Sequence, residues 1–299
     1  MKFKIIVKRW TIFYFFIQNL SEWHFSCVKA YNETWRKELG KFTSQEEKTL
    51  AKFKIVHQKY TFGKDYLGQY FYLTSKPFDI LKQKLPKQDS NIVSQTFSIF
   101  KNKFNVFYKK EYPLLKKWKL LLDKNLNYEA RNKRITNILE VIYNNYDREK
   151  NLDVYVLPSI RNVTSGSGYI GNNKGITAAI SRQPLKNNNH SIAIVWHETI
   201  HRCFEKKYFM PLLESAFSSD RDTINLIKEV TASSLFPNGL LGEKFFQKCG
   251  DLLNINIPPK YNEQILKIIE PYIENKKSFD VNYIKKIYNV VRELKGTVK

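Results

Sequence analysis

The segment SIAIVWHETIHRCFE, Ser191 to Glu205, sets two histidines and a glutamate into an otherwise apolar run. Ile192, Ala193, Ile194, Val195 and Trp196 lead into it and Ile200, Cys203 and Phe204 follow, so a helix formed here is a buried one. Imidazoles and a carboxylate taken out of water without partners cost roughly 2 kcal/mol or more each. Any fold this chain adopts must bring hydrogen-bond partners or a metal ion to that helix.

The spacing narrows the choice. Residues i and i+4 share one helix face, so His197 and His201 can aim ring nitrogens at a common point, about 2.0–2.1 Å from each if zinc sits there. Glu198 is turned about 100° from His197, away from that ligand position but suitably placed to reach a water at the metal. His197-Glu198-Thr199-Ile200-His201 resembles the HExxH motif of the zincin metallopeptidases, and all five positions agree. The resemblance implies Zn2+ as cofactor, Glu198 as general base, and a peptide or protein as substrate.

A catalytic zinc needs a third protein ligand. The metzincin extension is missing, because Phe204 stands at the glycine position and Lys207 at the third histidine. No histidine follows His201, so a downstream ligand must be a carboxylate: Glu205, Glu214, Asp220, Asp222 or Glu229. Glu205 would extend the same helical row, and Glu214 and Asp220 fall in an expected connection. Glu229 falls inside a second expected helix, between Ile227 and Val230. The gluzincin branch carries a glutamate ligand on such a helix, which KEVTAS resembles, so the implied metal set is His197, His201 and Glu229. The same resemblance would make Thr177 to Ile180, in GITAAIS, the sheet edge along which substrate pairs. Tyr208 and Tyr261 are conceivable oxyanion stabilisers; nothing in the sequence selects either.

The rest of the chain divides by texture. From about Phe42 to Asp147 the period is helical: Thr43 and Glu46 stand in capping-box spacing, and Leu50, Phe53, Val56 and Tyr60 share a face. Two further amphipathic stretches follow, the first interrupted at Pro113 and the second carrying Ile135, Ile138, Leu139 and Ile142. After Lys150, Leu152, Val154 and Val156 alternate as in a half-buried strand, and short strands are expected at Tyr169–Ile170 and Ile176–Ile180, with SGSG at 165–168 read as a turn. Asp222 is placed to cap a helix that stops before Pro237, and two more helices are expected near the C-terminus, one broken at Pro271 and one with Val281, Ile284, Tyr288 and Val291 in register. The class is α+β, with a mostly helical region over 1–148 and a zincin-like small sheet, motif helix and Glu-bearing helix within 149–299.

Composition bears on partners. The balance of 50 Lys+Arg against 28 Asp+Glu gives +22, which favours anionic partners. Its lysines are spread along the whole chain and arginine is sparse, so compositional bias explains the charge better than a polyanion site, and nucleic acid is not the expected partner. A basic nucleic-acid-binding or scaffold protein with an incidental or structural metal site is the competing reading. Around the basic-aromatic run FYKKEYPLLKKWK, Phe104, Phe107, Leu114, Leu115 and Trp118 keep near-helical spacing, the mark of a core-packed helix with a lysine-covered outer face. Cys27, Cys203 and Cys249 form neither an even disulfide set nor a CxxC pair, which fits a reducing compartment. The apolar run Trp10–Ile17 is too short to span a bilayer, so no transmembrane segment and a cytoplasmic location are expected.

Overall fold

The structure is a computed structural model that describes residues 1–22, 29–60, 66–167, 175–185, 188–218, 220–237, 239–246 and 259–297. The expected strand at Tyr169–Ile170, together with His24, Cys27 and Cys249, lies outside the described residues. The class is α+β: fourteen helices and one four-stranded mixed sheet among the described residues. Two compact units interleave along the chain, instead of meeting at a single cut at 148/149. One unit comprises Met1–Lys4, Leu122–Leu152 and Pro184–Lys299, the other Ile5–Leu121 and Asp153–Gln183. Change of texture marks where strands begin; it does not report which segments the strands return to.

In chain order the elements start with β1 (Lys2–Ile6), α1 (Arg9–Leu20), α2 (Lys29–Leu39), α3 (Ser44–Lys59), α4 (Gly68–Leu73), α5 (Pro77–Lys84), α6 (Lys87–Ile99) and α7 (Lys101–Leu126). They continue with α8 (Glu129–Ile142), β2 (Asn151–Leu157), β3 (Ser165–Ser167), β4 (Gly175–Ala179) and α9 (Asn189–Thr199), which runs into a π turn (Ile200–Phe204). The chain then forms α10 (Phe209–Phe217), α11 (Arg221–Leu235), α12 (Leu240–Phe246), α13 (Pro259–Glu274) and α14 (Val281–Thr297). No helix among the described residues is long and apolar enough to cross a membrane.

The unit built around Ile5–Leu121 has an aromatic core. Phe13 of α1 stacks on Phe104 of α7 with centroids 3.9 Å apart, and Phe16, Trp35 and Phe107 close around it. The capping box forms as read, with Thr43 Oγ1 accepting from Glu46 N and the Glu46 carboxylate accepting from Thr43 N. α7 runs unbroken through Pro113, contrary to the expected interruption. Proline there removes one backbone bond, while Phe104, Phe107, Leu115 and Trp118 are buried on both sides of it, and their packing outweighs the loss. Pro271 is carried inside α13 in the same way.

The sheet order is β1-β2-β4-β3, with β4 parallel to β2 (Val154 opposite Ile176, Tyr155 opposite Thr177) and antiparallel to β3. Ser165–Ser167, expected as a turn, is therefore one of the two edge strands, and the expected edge segment Thr177–Ile180 falls mostly in the interior strand β4. β2 is buried from Val154 to Leu157 instead of alternating, so both of its faces are covered there.

In the other unit α9 is central. Trp196 lies between Phe3, edge-on at 5.1 Å, and Phe236, stacked at 6.1 Å. α11 is tied to α14 by a hydrogen bond of 2.8 Å between Thr231 Oγ1 and the Tyr283 hydroxyl. Its N-cap is Asp220, which accepts from Thr223 N at 3.0 Å, so Asp222 sits in the first turn without the capping role expected of it. The π turn leaves carbonyls without helical donors, and the buried Asn145 Nδ2 supplies them, reaching Cys203 O at 2.9 Å and Phe204 O at 3.1 Å.

Candidate metal centre

The motif helix delivers its histidines as the spacing requires. His197 is the third-last residue of α9 and His201 the second of the π turn; their rings stand at 80° to each other with centroids 4.7 Å apart. α11 brings Glu229 to them, its register held by the buried Ile227 and Val230. His197, His201 and Glu229 are grouped tightly enough to hold a metal ion.

Each imidazole has one nitrogen already committed. His197 Nδ1 lies 3.0 Å from the Phe236 carbonyl oxygen, which can only accept, so the proton is on Nδ1. His201 Nδ1 donates to Glu205 Oε1 at 2.9 Å. The Nε2 atoms therefore face each other and Glu229, where either a proton or a metal ion can lie between them. They are 3.1 Å apart; Glu229 Oε2 lies 3.5 Å from His197 Nε2, and Glu229 Oε1 lies 3.4 Å from His201 Nε2. Two imidazole nitrogens and a carboxylate meeting this closely need a positive charge among them, either a proton on Nε2 or a metal ion. Two donors 2.0–2.1 Å from a tetrahedral ion lie about 3.3–3.4 Å apart, and the 3.1 Å between the two nitrogens is within a few tenths of that. The residues fit a tetrahedral cation with N2O donors.

Electrostatics point the same way. Burial works against a charged His201, yet the Glu205 and Glu229 carboxylates outweigh it and hold the imidazole well above its ordinary value. Burial pushes Glu229 up, but hydrogen bonds from the two histidines and their charge bring it well below the usual carboxylate range. Glu205, buried to 1% exposure, is likewise held low against its own desolvation by His201 and by Lys228, whose Nζ lies 3.4 Å from Glu205 Oε2. Adjacent residues of α11 thus serve both layers of the site: Lys228 fixes the carboxylate that orients His201, and Glu229 faces the two Nε2 atoms. The histidine side chains are 11% exposed and that of Glu229 is 52% exposed, so solvent reaches the cluster from the α11 side.

Glu198 is buried in the same helical turn as His197. Of the other carboxylates weighed as third ligand, Glu214 lies on α10, not in a connection, and pairs with Arg221 at 3.3 Å. Asp220 caps α11 and Asp222 is exposed in its first turn. Tyr208 is half-buried at the start of α10 and Tyr261 buried on α13. Cys203 points into the core, where burial pushes its thiol up to about 12. Sequence reasoning missed the orienting roles of Glu205 and Lys228. The i+4 spacing of Glu205 from His201 was the available signal, but it could not tell a ligand from a support.

No family model, curated protein or solved structure matches the chain.

Proposed function

We propose that this chain is a zinc-dependent metallopeptidase of zincin type that hydrolyses peptide bonds, with His197, His201 and Glu229 holding the metal and Glu198 as general base. The observation that carries the reading is the convergence of two imidazole Nε2 atoms and one carboxylate on a point open to solvent on one side. Structural zinc sites close all four positions with protein ligands. Among the described residues three ligand groups meet, which favours a catalytic site over a structural one.

Zinc held there would lower the pKa of a water towards neutrality and polarise the scissile carbonyl. The chain's own residues do the remainder. His197 and His201 keep fixed tautomers because the Phe236 carbonyl and the Glu205 carboxylate each hold an Nδ1 proton. Glu198 takes the proton of the attacking water as its oxygen bonds to the carbonyl carbon, then gives that proton to the leaving amine nitrogen as the C–N bond breaks. The test is Glu198→Gln. The variant is expected to keep the zinc content of the unmodified protein and to lose peptide hydrolysis by at least about a hundredfold; unchanged cleavage of a casein substrate would overturn the assignment of the base.

A further inference from the structure

A second site lies away from the histidines, wholly within the unit built around Ile5–Leu121. Helices α1, α5 and α6 enclose a cavity of about 520 Å3, within the size range of pockets that take small apolar ligands. Its floor is aromatic: Phe13 and Phe97 have centroids 4.6 Å apart, Phe78 meets Phe97 edge-on at 5.3 Å, and Trp10 meets Phe78 edge-on at 5.3 Å. Phe13 and Phe97 are buried, whereas Trp10 and Phe78 are half-buried and turn ring surface to the opening.

The rim has one sign of charge. Arg9 leads Trp10 into α1, Lys82 stands one turn after Phe78 on α5, and Lys101 follows Ser94 and Ser98 at the start of α7. Each wall thus pairs an aromatic floor residue with a cation, and among the described residues no carboxylate lines the cavity. Arg9 is held in place, its Nη2 donating to Asn105 Oδ1 at 2.6 Å and its guanidinium lying 4.7 Å over the Tyr108 ring.

We propose that this cavity binds a free alkyl carboxylate, a fatty-acid-like chain of roughly eight to twelve carbons. The chain lies on Phe13, Phe78 and Phe97, and the carboxylate meets Lys82, Lys101 and Arg9, with the Ser94 and Ser98 hydroxyls as donors below them. Charge complementarity selects the occupant, since a neutral chain leaves the three cations unanswered and a cationic chain is repelled.

The test is calorimetric titration of the full chain with decanoate, 1-decanol and decyltrimethylammonium below their aggregation limits, and with N-acetyl-Leu-Phe as a peptide carboxylate. Decanoate is expected to bind once per chain and at least about tenfold tighter than the other three. Lys82→Glu combined with Lys101→Glu is expected to weaken it by tenfold or more. Ser94→Trp, which fills the cavity without altering its charge, is expected to abolish binding, so a folding defect in the first variant leaves the test intact. Equal binding of the three decyl compounds, tighter binding of the acetyl dipeptide, no decanoate binding, or decanoate binding that survives Ser94→Trp would each overturn the proposal.

Discussion

The Nε2 atoms of His197 and His201 lie 3.1 Å apart with both Nδ1 atoms engaged elsewhere, one by the Phe236 carbonyl and one by the Glu205 carboxylate. In zinc-free protein a proton on His201, favoured by the Glu205 and Glu229 carboxylates, joins the two Nε2 atoms, and a metal ion would take its place. The geometry is stable when something positive stands between them, and Glu229 supplies the third side of that position.

The first prediction concerns Glu205. Its carboxylate holds the His201 Nδ1 proton and is itself held by Lys228. Glu205→Ala is expected to weaken zinc binding by about 10- to 100-fold, the usual cost of losing a partner behind a ligating histidine. Competition with a chromophoric chelator measures this. An unchanged affinity would show that the π turn alone orients the ring.

A second follows from protonation. His201 is held above its ordinary value of about 6.5 by Glu205 and Glu229 despite burial. In zinc-free protein its contribution to stability is therefore fully present below about pH 6.5 and lost as pH rises through the raised folded value. Zinc competes with that proton, so the zinc-induced rise in Tm should grow with pH between about pH 5 and pH 9. Melting curves with and without zinc check this; an increment independent of pH would contradict it.

A third concerns the helix that carries Glu229. Asp220, not Asp222, accepts from the first turn of α11. Asp220→Ala is expected to cost about 1 kcal/mol and Asp222→Ala only a few tenths, read as urea midpoints at constant slope. Equal losses would place the cap at Asp222.

The part of this site legible in the sequence is the part that depends on one helix. His197 and His201 share a face because of their spacing, and the apolar neighbours of Trp196 declare that the face is buried. The capping box at Thr43 and Glu46 is local in the same sense. What tertiary packing decides was not legible. Ser165–Ser167 becomes a strand only because β4 offers it an edge, and its Ser-Gly-Ser composition alone reads as a turn. Pro113 stays inside its helix because side chains on either side are buried, and Pro271 is carried just past the buried Ile265 and Ile269. Glu205 could be assigned a role only once Lys228 was known to face it from another helix.

A fourth prediction tests the π turn. Asn145 donates to the carbonyls of Cys203 and Phe204, which have no helical donor. Asn145→Ala leaves both buried and unpaired and is expected to cost roughly 2 kcal/mol of stability, with zinc affinity falling in parallel because the turn carries His201. Loss of stability without loss of affinity would separate the turn from the site.

Metal content is the most direct measurement. Protein purified without chelators is expected to carry about one zinc per chain by elemental analysis, and the variants His197→Ala, His201→Ala and Glu229→Ala close to none. Retention of zinc in Glu229→Ala alone would move the third ligand elsewhere. Unmodified protein that contains no metal and takes up none on dialysis against zinc would contradict the account at its centre.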